Sequence, residues 1–242
     1  MRWIYLSPHF DDAVLSCGGL IFEQARQGLH TEIWTIFAGD APAGPLSPLA
    51  LRCHVDWGIP EPHELVAVRR EEDLAAAGRL GSQVCHFSLP ECVYRRSADW
   101  ESMYPDEVFV PFHPADRDLD ADIAAVLSSE LEPDDVLVSP LAIGNHVDHR
   151  LARMAAERLD RPLLFYADIP YVFRRPEMLA PSTQRLAVEL YPVSEAGLAA
   201  WLEATAAYQT QMVMVFETES KMRESLRADW EARHGIRLWH MH

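Results

Sequence analysis

Arg2-Trp3-Ile4-Tyr5-Leu6-Ser7-Pro8-His9-Phe10-Asp11-Asp12 runs an apolar block into Ser-Pro and then delivers three metal- or proton-handling side chains, His9, Asp11 and Asp12, in close succession. A short apolar run that stops at such a turn predicts a buried strand. In an open α/β sheet, ligands bind outside the carboxyl ends of the strands. The stretch therefore predicts both a fold and a place in it: a buried parallel sheet with a metal-dependent hydrolytic site at its carboxyl edge. The rest of the chain has to supply a missing ligand, a substrate clamp and a wall.

Working outward, residues 13–25 place Val14, Leu15, Ile21, Phe22 and Ala25 on one helical face, with Asp11 or Asp12 at the start and Gly28 as the stop. Asp12 has a plainer reading as a helix N-cap. The Gly18-Gly19 pair interrupts good helix formers and is expected to allow close packing on the sheet. Residues 30–38 read as a second strand, completing a βαβ unit with parallel pairing. The proline-rich residues 39–64 read as a long loop over the same sheet edge. Residues 65–80 form the strongest helical pattern, ended by Gly81. A third strand is expected over 84–89, then an irregular aromatic excursion over 90–114 that packs on the core or rims a pocket. Residues 118–131 predict a helix, 135–139 a buried strand, and a further helix ends near Arg158. Strands follow at 162–166 and 186–191 and a helix at 196–208; the remainder to Trp230 reads as helical or irregular packing. This alternation predicts one α/β domain over residues 1–242, with a mostly parallel central sheet and helices on both faces. Its site is built from strand ends near 4–12 and 135–149, and residues 160–242 complete the pocket.

The second polar cluster repeats the grammar of the first. The strand ending at Ser139 leads through Pro140 to Gly144-Asn145-His146-Val147-Asp148-His149, again a buried strand, a turn, and His and Asp entering a helix. His146 and His149 lie three apart and share a helical face. Two histidines and one carboxylate leave a coordination position open, the pattern of a catalytic zinc site. Fe(II) suits the same donors. One carboxylate per cluster is then left to carry a proton or to orient a histidine. His113-Pro114-Ala115-Asp116 has a similar composition but reads as a loop and helix start. His240-Met241-His242 reads as a frayed terminus, and His54, His63 and His86 as structural.

These residues carry a family resemblance. Pro8-His9-Phe10-Asp11-Asp12 resembles the A/P-H-P-D-D segment of the PIG-L/LmbE-like zinc deacetylases, and His146-Val147-Asp148-His149 resembles their H-x-D-H segment. Between them, Arg69-Arg70-Glu71-Glu72, continuing to Leu80-Gly81, is similar to the family's R-x-x-E…LG helix. Tyr166-Ala167-Asp168-Ile169-Pro170-Tyr171 and Tyr208-Gln209-Thr210-Gln211 look like downstream segments. The resemblance implies a single Rossmann-like domain that removes acetyl groups from N-acetylglucosamine-type substrates. It makes His9, Asp12 and His149 the zinc ligands and Asp11 the base that takes a proton from the attacking water. It makes His146 a protonated group that stabilises the oxyanion or protonates the leaving amine, with Asp148 holding its ring, and Arg69 a substrate contact. Arg69 has an alternative as a surface ion pair with Glu72 or Asp73. Phe10 stands where the family carries Pro. Gly144 and Asn145 stand where some members carry a bulky aromatic, leaving Tyr166 or Tyr171 as substitutes.

The bulk properties limit the rivals. A formal net charge of −16 argues against nucleic acid and anionic membrane surfaces as partners. That leaves a small N-acetylated sugar conjugate, with self-association left open. Cys17, Cys53, Cys85 and Cys92 show no paired spacing and read as reduced thiols of a cytoplasmic protein. The first ten residues do not read as a signal peptide, and no apolar run reaches the roughly 18 residues of a membrane span. A phosphoesterase or other metal hydrolase, or a scaffold keeping the fold without turnover, remain the alternatives.

Overall fold

The computed structural model describes residues 1–241. β1 (Arg2–Ser7) leads to α1 (Asp12–Arg26) and β2 (His30–Thr35), and α2 (Pro48–Trp57) and α3 (Pro62–Leu80) precede β3 (Gln83–His86). After the aromatic excursion come α4 (Leu119–Glu130), β4 (Val136–Pro140), α5 (Val147–Glu157) and β5 (Leu163–Tyr166). The short α6 (Tyr171–Arg174) and α7 (Leu179–Thr183) lead to β6 (Ala187–Pro192), α8 (Glu195–Thr205), α9 (Gln209–Phe216), α10 (Glu219–Arg233) and β7 (Gly235–His240). All seven strands join one sheet in the order β3-β2-β1-β4-β5-β7-β6. β1 to β5 pair in parallel, and β7 runs antiparallel to both β5 and β6.

Alternation along each strand divides the interior into two cores. Ile4, Leu6, Trp34, Leu137 and Phe165 pack with α4 and α5 on one face. Tyr5, Ile33, Val138 and Tyr166 pack with α1, α3 and α8 on the other. β1 has β2 on one side and β4 on the other, so the chain leaves its centre in opposite directions. That is the topological switch point, and it puts the crevice between the carboxyl ends of β1 and β4.

Three expectations need correction. Gly18 and Gly19 make room for α8 and the residue leading into it, not for the sheet. A Cβ at Gly18 would sit 2.5 Å from Trp201 Cδ1, and one at Gly19 2.8 Å from Val193 Cγ1. Trp201 is fully buried and its indole N–H donates to the Val14 carbonyl at 2.8 Å. Residues 39–64 are not one loop: Ser47 caps α2 by accepting from Ala50 N–H at 3.1 Å, and Pro48 takes the first helical position. Finally, His240 closes β7 inside the sheet instead of lying in a frayed end; His242 lies outside the described residues.

Candidate active site

Both polar clusters are set by the turn that follows their strand. After β1, the Ser7 hydroxyl donates to the His9 carbonyl and accepts from Ala13 N–H at 3.0 Å, pinning the entry to α1. Asp11 occupies the N-cap position but makes no side-chain cap, so the plain capping explanation fails for this corner. Asp12 Oδ2 accepts from His9 N–H at 2.8 Å and points into the crevice with it. After β4, Gly144 takes a left-handed φ of 92°. A Cβ there would sit 2.7 Å from Tyr171 Cδ1, so the missing side chain at 144 is what admits the Tyr171 ring. His146 then caps α5, its Nδ1 accepting from Asp148 N–H at 3.2 Å.

His9, Asp12 and His149 converge. Asp12 Oδ2 lies 3.3 Å from His9 Nδ1 and 3.3 Å from His149 Nε2, and the three donor atoms all lie within 4.8 Å of one another. Each histidine is backed by a carboxylate: His9 Nε2 is 3.0 Å from Asp148 Oδ2, and His149 Nδ1 is 2.7 Å from Asp168 Oδ1. Such backing fixes the tautomer and aims the other ring nitrogen at a metal. Among the described residues, His149 Nε2 is buried without a hydrogen-bond partner. An orphaned ring nitrogen facing an aspartate and a second histidine fits a divalent ion in an open tetrahedral set. His9, His146 and Asp148 also cluster, but Asp148 is committed elsewhere. Its oxygens accept from His9, from Arg95 Nη1 at 2.6 Å and from Cys92 N–H at 2.9 Å.

This corrects two readings. The Asp148 carboxylate orients His9, not His146, because the turn before α5 points it back across the crevice towards β1. His146 is not a preset cation. Its Nδ1 accepts from a backbone N–H, so the ring is neutral with its proton on Nε2. Burial, with His9 nearby, pushes its pKa well below the ordinary histidine value.

The neighbouring aspartates are driven apart. Burial and the adjacent Asp12 push Asp11 up to about 7, against the pull of Arg69 and His9. Asp12 is buried too, but His149 and His9 outweigh that penalty and hold it well below the carboxylate range. Asp11 accepts no side-chain hydrogen bond among the described residues and faces the cavity, whereas Asp12 is held by its neighbours. Arg69 is 3% exposed. Its partner is Glu91, not Glu72 or Asp73, and its guanidinium stacks over Phe10 and Trp57 at 5.0 and 5.2 Å. Glu72 instead holds Thr210, and Asp73 holds Thr35, His86 and Tyr208.

A cavity of about 300 Å³ opens over this corner, with His9, Asp11, Asp12, Arg69, Glu91 and His146 on its floor. Leu49, Cys53 and Trp57 of α2 form one wall, Val108 and Phe109 of the excursion another, and Met214 and Val215 of α9 a third. Tyr171 closes the side beside His149, ring centroids 5.2 Å apart at 90°. Burial, followed by Asp12, raises its phenol well above the usual range, so it remains a donor. Tyr166 is not at the cavity; its hydroxyl donates to the Leu6 carbonyl at 2.9 Å. Glu91 and Arg95 were missed in the sequence. Neither belongs to a spaced motif, and both come from the excursion, whose path no periodicity predicts.

Two aimed histidines, an ionised aspartate and a second aspartate with a raised pKa at a switch-point crevice are the equipment of a metal-dependent hydrolase. Comparison with known proteins narrows that class. Residues 4–159 match the PIG-L family, described as GlcNAc-PI de-N-acetylase, and the chain belongs to that family. It is 30% identical over 239 residues to a 2'-N-acetylparomamine deacetylase of Niallia circulans, covering 91% of this chain and 84% of that one. A 2'-N-acetylparomamine deacetylase of Streptomyces fradiae is 26% identical over 98% of this chain and 81% of its own. Among solved structures, the zinc-inhibited form of a teicoplanin deacetylase superposes with a TM-score of 0.83 at 27% identity, covering 99% of this chain and 97% of the other.

Proposed function

We propose that this protein is a zinc-dependent deacetylase that hydrolyses the N-acetyl group of an amino sugar carried in a larger small-molecule conjugate. The observation that carries the reading is the convergence of His9, Asp12 and His149 beside an Asp11 that is free to move a proton. When bound there, zinc acidifies a water and polarises the acetyl carbonyl; Fe(II) suits the same donors. Asp11 takes the proton of the attacking water and passes it towards the departing amine. His146 and Tyr171 line the cavity, and their Nε2–H and hydroxyl are the donors assigned to the developing oxyanion. Arg69 and Glu91 offer a donor and an acceptor for sugar hydroxyls. Asp148 and Asp168 act through the histidines they hold, as positioning residues.

The related deacetylases named for 2'-N-acetylparomamine and teicoplanin support a sugar conjugate as substrate. The apolar walls from Leu49, Trp57, Phe109 and Met214 suit a conjugate whose remaining part is hydrophobic. A phosphoesterase is disfavoured: Arg69, the buried cation of the cavity, is neutralised by Glu91, and Arg174 is an exposed rim residue whose Nη2 donates to the Met214 and Val215 carbonyls. Residues 1–242 are read as one functional domain, because the cavity is lined from His9 to Val215 and the sheet runs on into β7. The four cysteines are unpaired, which supports a reducing, cytoplasmic setting. Among the described residues, no helix is long and apolar enough to cross a membrane.

The test is metal analysis of the purified protein together with amine release from N-acetylglucosaminides. Asp11→Ala is expected to keep its metal and lose about 100-fold or more in turnover, whereas His9→Ala loses the metal as well. Full activity in Asp11→Ala would overturn the role given to Asp11.

A further inference from the structure

A second cavity, of about 230 Å³, opens at the same carboxyl edge of the sheet, where the end of β5 meets the start of β7. The segment from Ala167 to Pro176 stands between the two cavities. Pro170, Tyr171 and Arg174 face the metal corner, whereas Ala167, Ile169, Val172 and Phe173 face the second cavity. Its far side is built by α10 and β7, which bring Asp229, Arg233 and Arg237 to the rim above Ile236 and Trp239.

The charges there do not balance. Arg233 is paired with Asp229. Arg237 has no carboxylate partner and no side-chain hydrogen bond among the described residues; its guanidinium lies over the Trp239 ring, 5.1 Å from the centroid. Partial burial, and then the repulsion of Arg233, pull its pKa below the ordinary arginine value. In a chain of net charge −16, a cleft with one uncompensated guanidinium over an apolar floor needs a reason. Arginine's planar fork matches a carboxylate in two parallel hydrogen bonds. The cavity also exceeds the roughly 150 Å³ that accommodates a benzene ring.

We propose that this cleft is a binding site for a small organic carboxylate with an apolar body, its carboxylate on Arg237 with Arg233 alongside and its body against Val172, Phe173 and Leu179. The site is separate from the metal corner and does not depend on the deacetylase reading.

The test uses benzoate as the probe, with benzyl alcohol supplying the ring without the charge and inorganic phosphate the charge without the ring. Binding is followed by the NMR shift of the Trp239 indole N–H and by calorimetry. Benzoate is expected to saturate the Trp239 shift and to bind at least about tenfold more tightly than either control. Arg237→Gln is expected to lower benzoate affinity at least about tenfold, a loss of about 1.4 kcal/mol, with amine release unchanged. Arg233→Gln is the second variant should Arg237→Gln fail to fold. Because benzoate can also ligate a metal, the titration is repeated in His9→Ala, where the Trp239 shift is expected to persist. A Trp239 resonance that does not move, equal affinity for benzyl alcohol, or binding that survives both arginine variants would overturn the proposal.

Discussion

Replacing Asp148 with asparagine separates the role that the structure gives this residue from the one its place in the H-x-D-H motif suggests. The carboxylate is fully buried and accepts from His9 Nε2 at 3.0 Å, Arg95 Nη1 at 2.6 Å and Cys92 N–H at 2.9 Å. The asparagine side chain would keep one acceptor oxygen and turn an NH2 group towards donors, leaving at least one of the three unmet. A buried donor without a partner costs about 1–3 kcal/mol. Breaking a buried ion pair by removing one partner costs about 3–5 kcal/mol. Arg95 keeps Asp116, with Nη2 2.8 Å from Oδ2, so the lower end of that range applies, about 3 kcal/mol. For a domain of this size each kcal/mol lowers Tm by about 2–4 °C, which puts the expected fall at about 6–12 °C. His9 would also lose the group that fixes its tautomer, and such losses lower metal affinity by about 10- to 100-fold. Thermal unfolding and zinc titration against a competing chelator measure the two effects, and kcat at saturating zinc should stay close to that of the parent. If Asp148→Asn kept the parent Tm and zinc affinity and lost only kcat, the carboxylate would be serving His146 after all.

Other substitutions probe separate parts of the site and fold. With zinc saturating, kcat/KM should fall nearly tenfold per pH unit on the acid side, because a base must be ionised and Asp11 protonates as pH drops through its pKa. That limb should be centred at or below the value of about 7, since a cation held at Asp12 favours the ionised form; a limb centred above that value would remove Asp11 as the titrating base. Tyr171→Phe leaves the packing on Gly144 and His149 intact and removes one oxyanion donor, so kcat should fall by up to about 100-fold with KM little changed. Unchanged kcat would make Tyr171 a wall residue. Gly18→Ala would drive a methyl into the Trp201 ring, costing about 1–3 kcal/mol of overpacking against about 1 kcal/mol of helix propensity gained. Denaturant unfolding should therefore show net loss of stability, and Gly28→Ala would not serve as a control because Gly28 has a positive φ of 81°.

What the sequence disclosed is local, and what it hid is the product of packing. Trp3 to Leu6 and Val136 to Ser139 declare buried strands because both faces are covered, and each is followed by a turn with the site residues in it. That grammar put both polar clusters at one sheet edge, where β1 and β4 are neighbours; the choice of His9, Asp12 and His149 among them came from the family resemblance. Prolines concealed α2, although Ser47-Pro48 is itself a helix-start signal. β7 was missed because Arg237 breaks its apolar run and a long helix ends just before it. The partner of Asp148 was beyond reach. His146 is two residues away and His9 is 139, and only the juxtaposition of two strand ends selects the distant one. Arg95 and Glu91 came from a stretch whose course is decided by what it covers.

The two histidine-backing carboxylates are held differently, and this difference orders the site. Asp148 is anchored through Arg95 to Asp116 and on to the Tyr104 hydroxyl, which donates to Asp116 at 2.7 Å. That chain of alternating charges keeps Asp148 ionised well below its ordinary range, Arg95 being the largest cause that offsets burial. Asp168 pairs with no arginine or lysine among the described residues. It accepts from Ile143 N–H at 3.0 Å, and burial raises its pKa despite His149. His9 is therefore backed by a carboxylate with an arginine behind it, whereas the carboxylate behind His149 is satisfied by a backbone N–H. Around them Asp11, Asp12, Glu91, Asp116, Asp148 and Asp168 are buried, and among the described residues Arg69 and Arg95 are the buried arginines that oppose them, with His9 and His149 beside Asp12. Buried carboxylates in that excess are costly unless paired or coordinated, and the two histidines aimed at Asp12 mark where a dication offsets them. Asp11 is then the group that yields: Asp12 and Asp148 are tied down by histidine and arginine, whereas burial first and the neighbouring Asp12 second raise the pKa of Asp11, which no side chain among the described residues hydrogen-bonds.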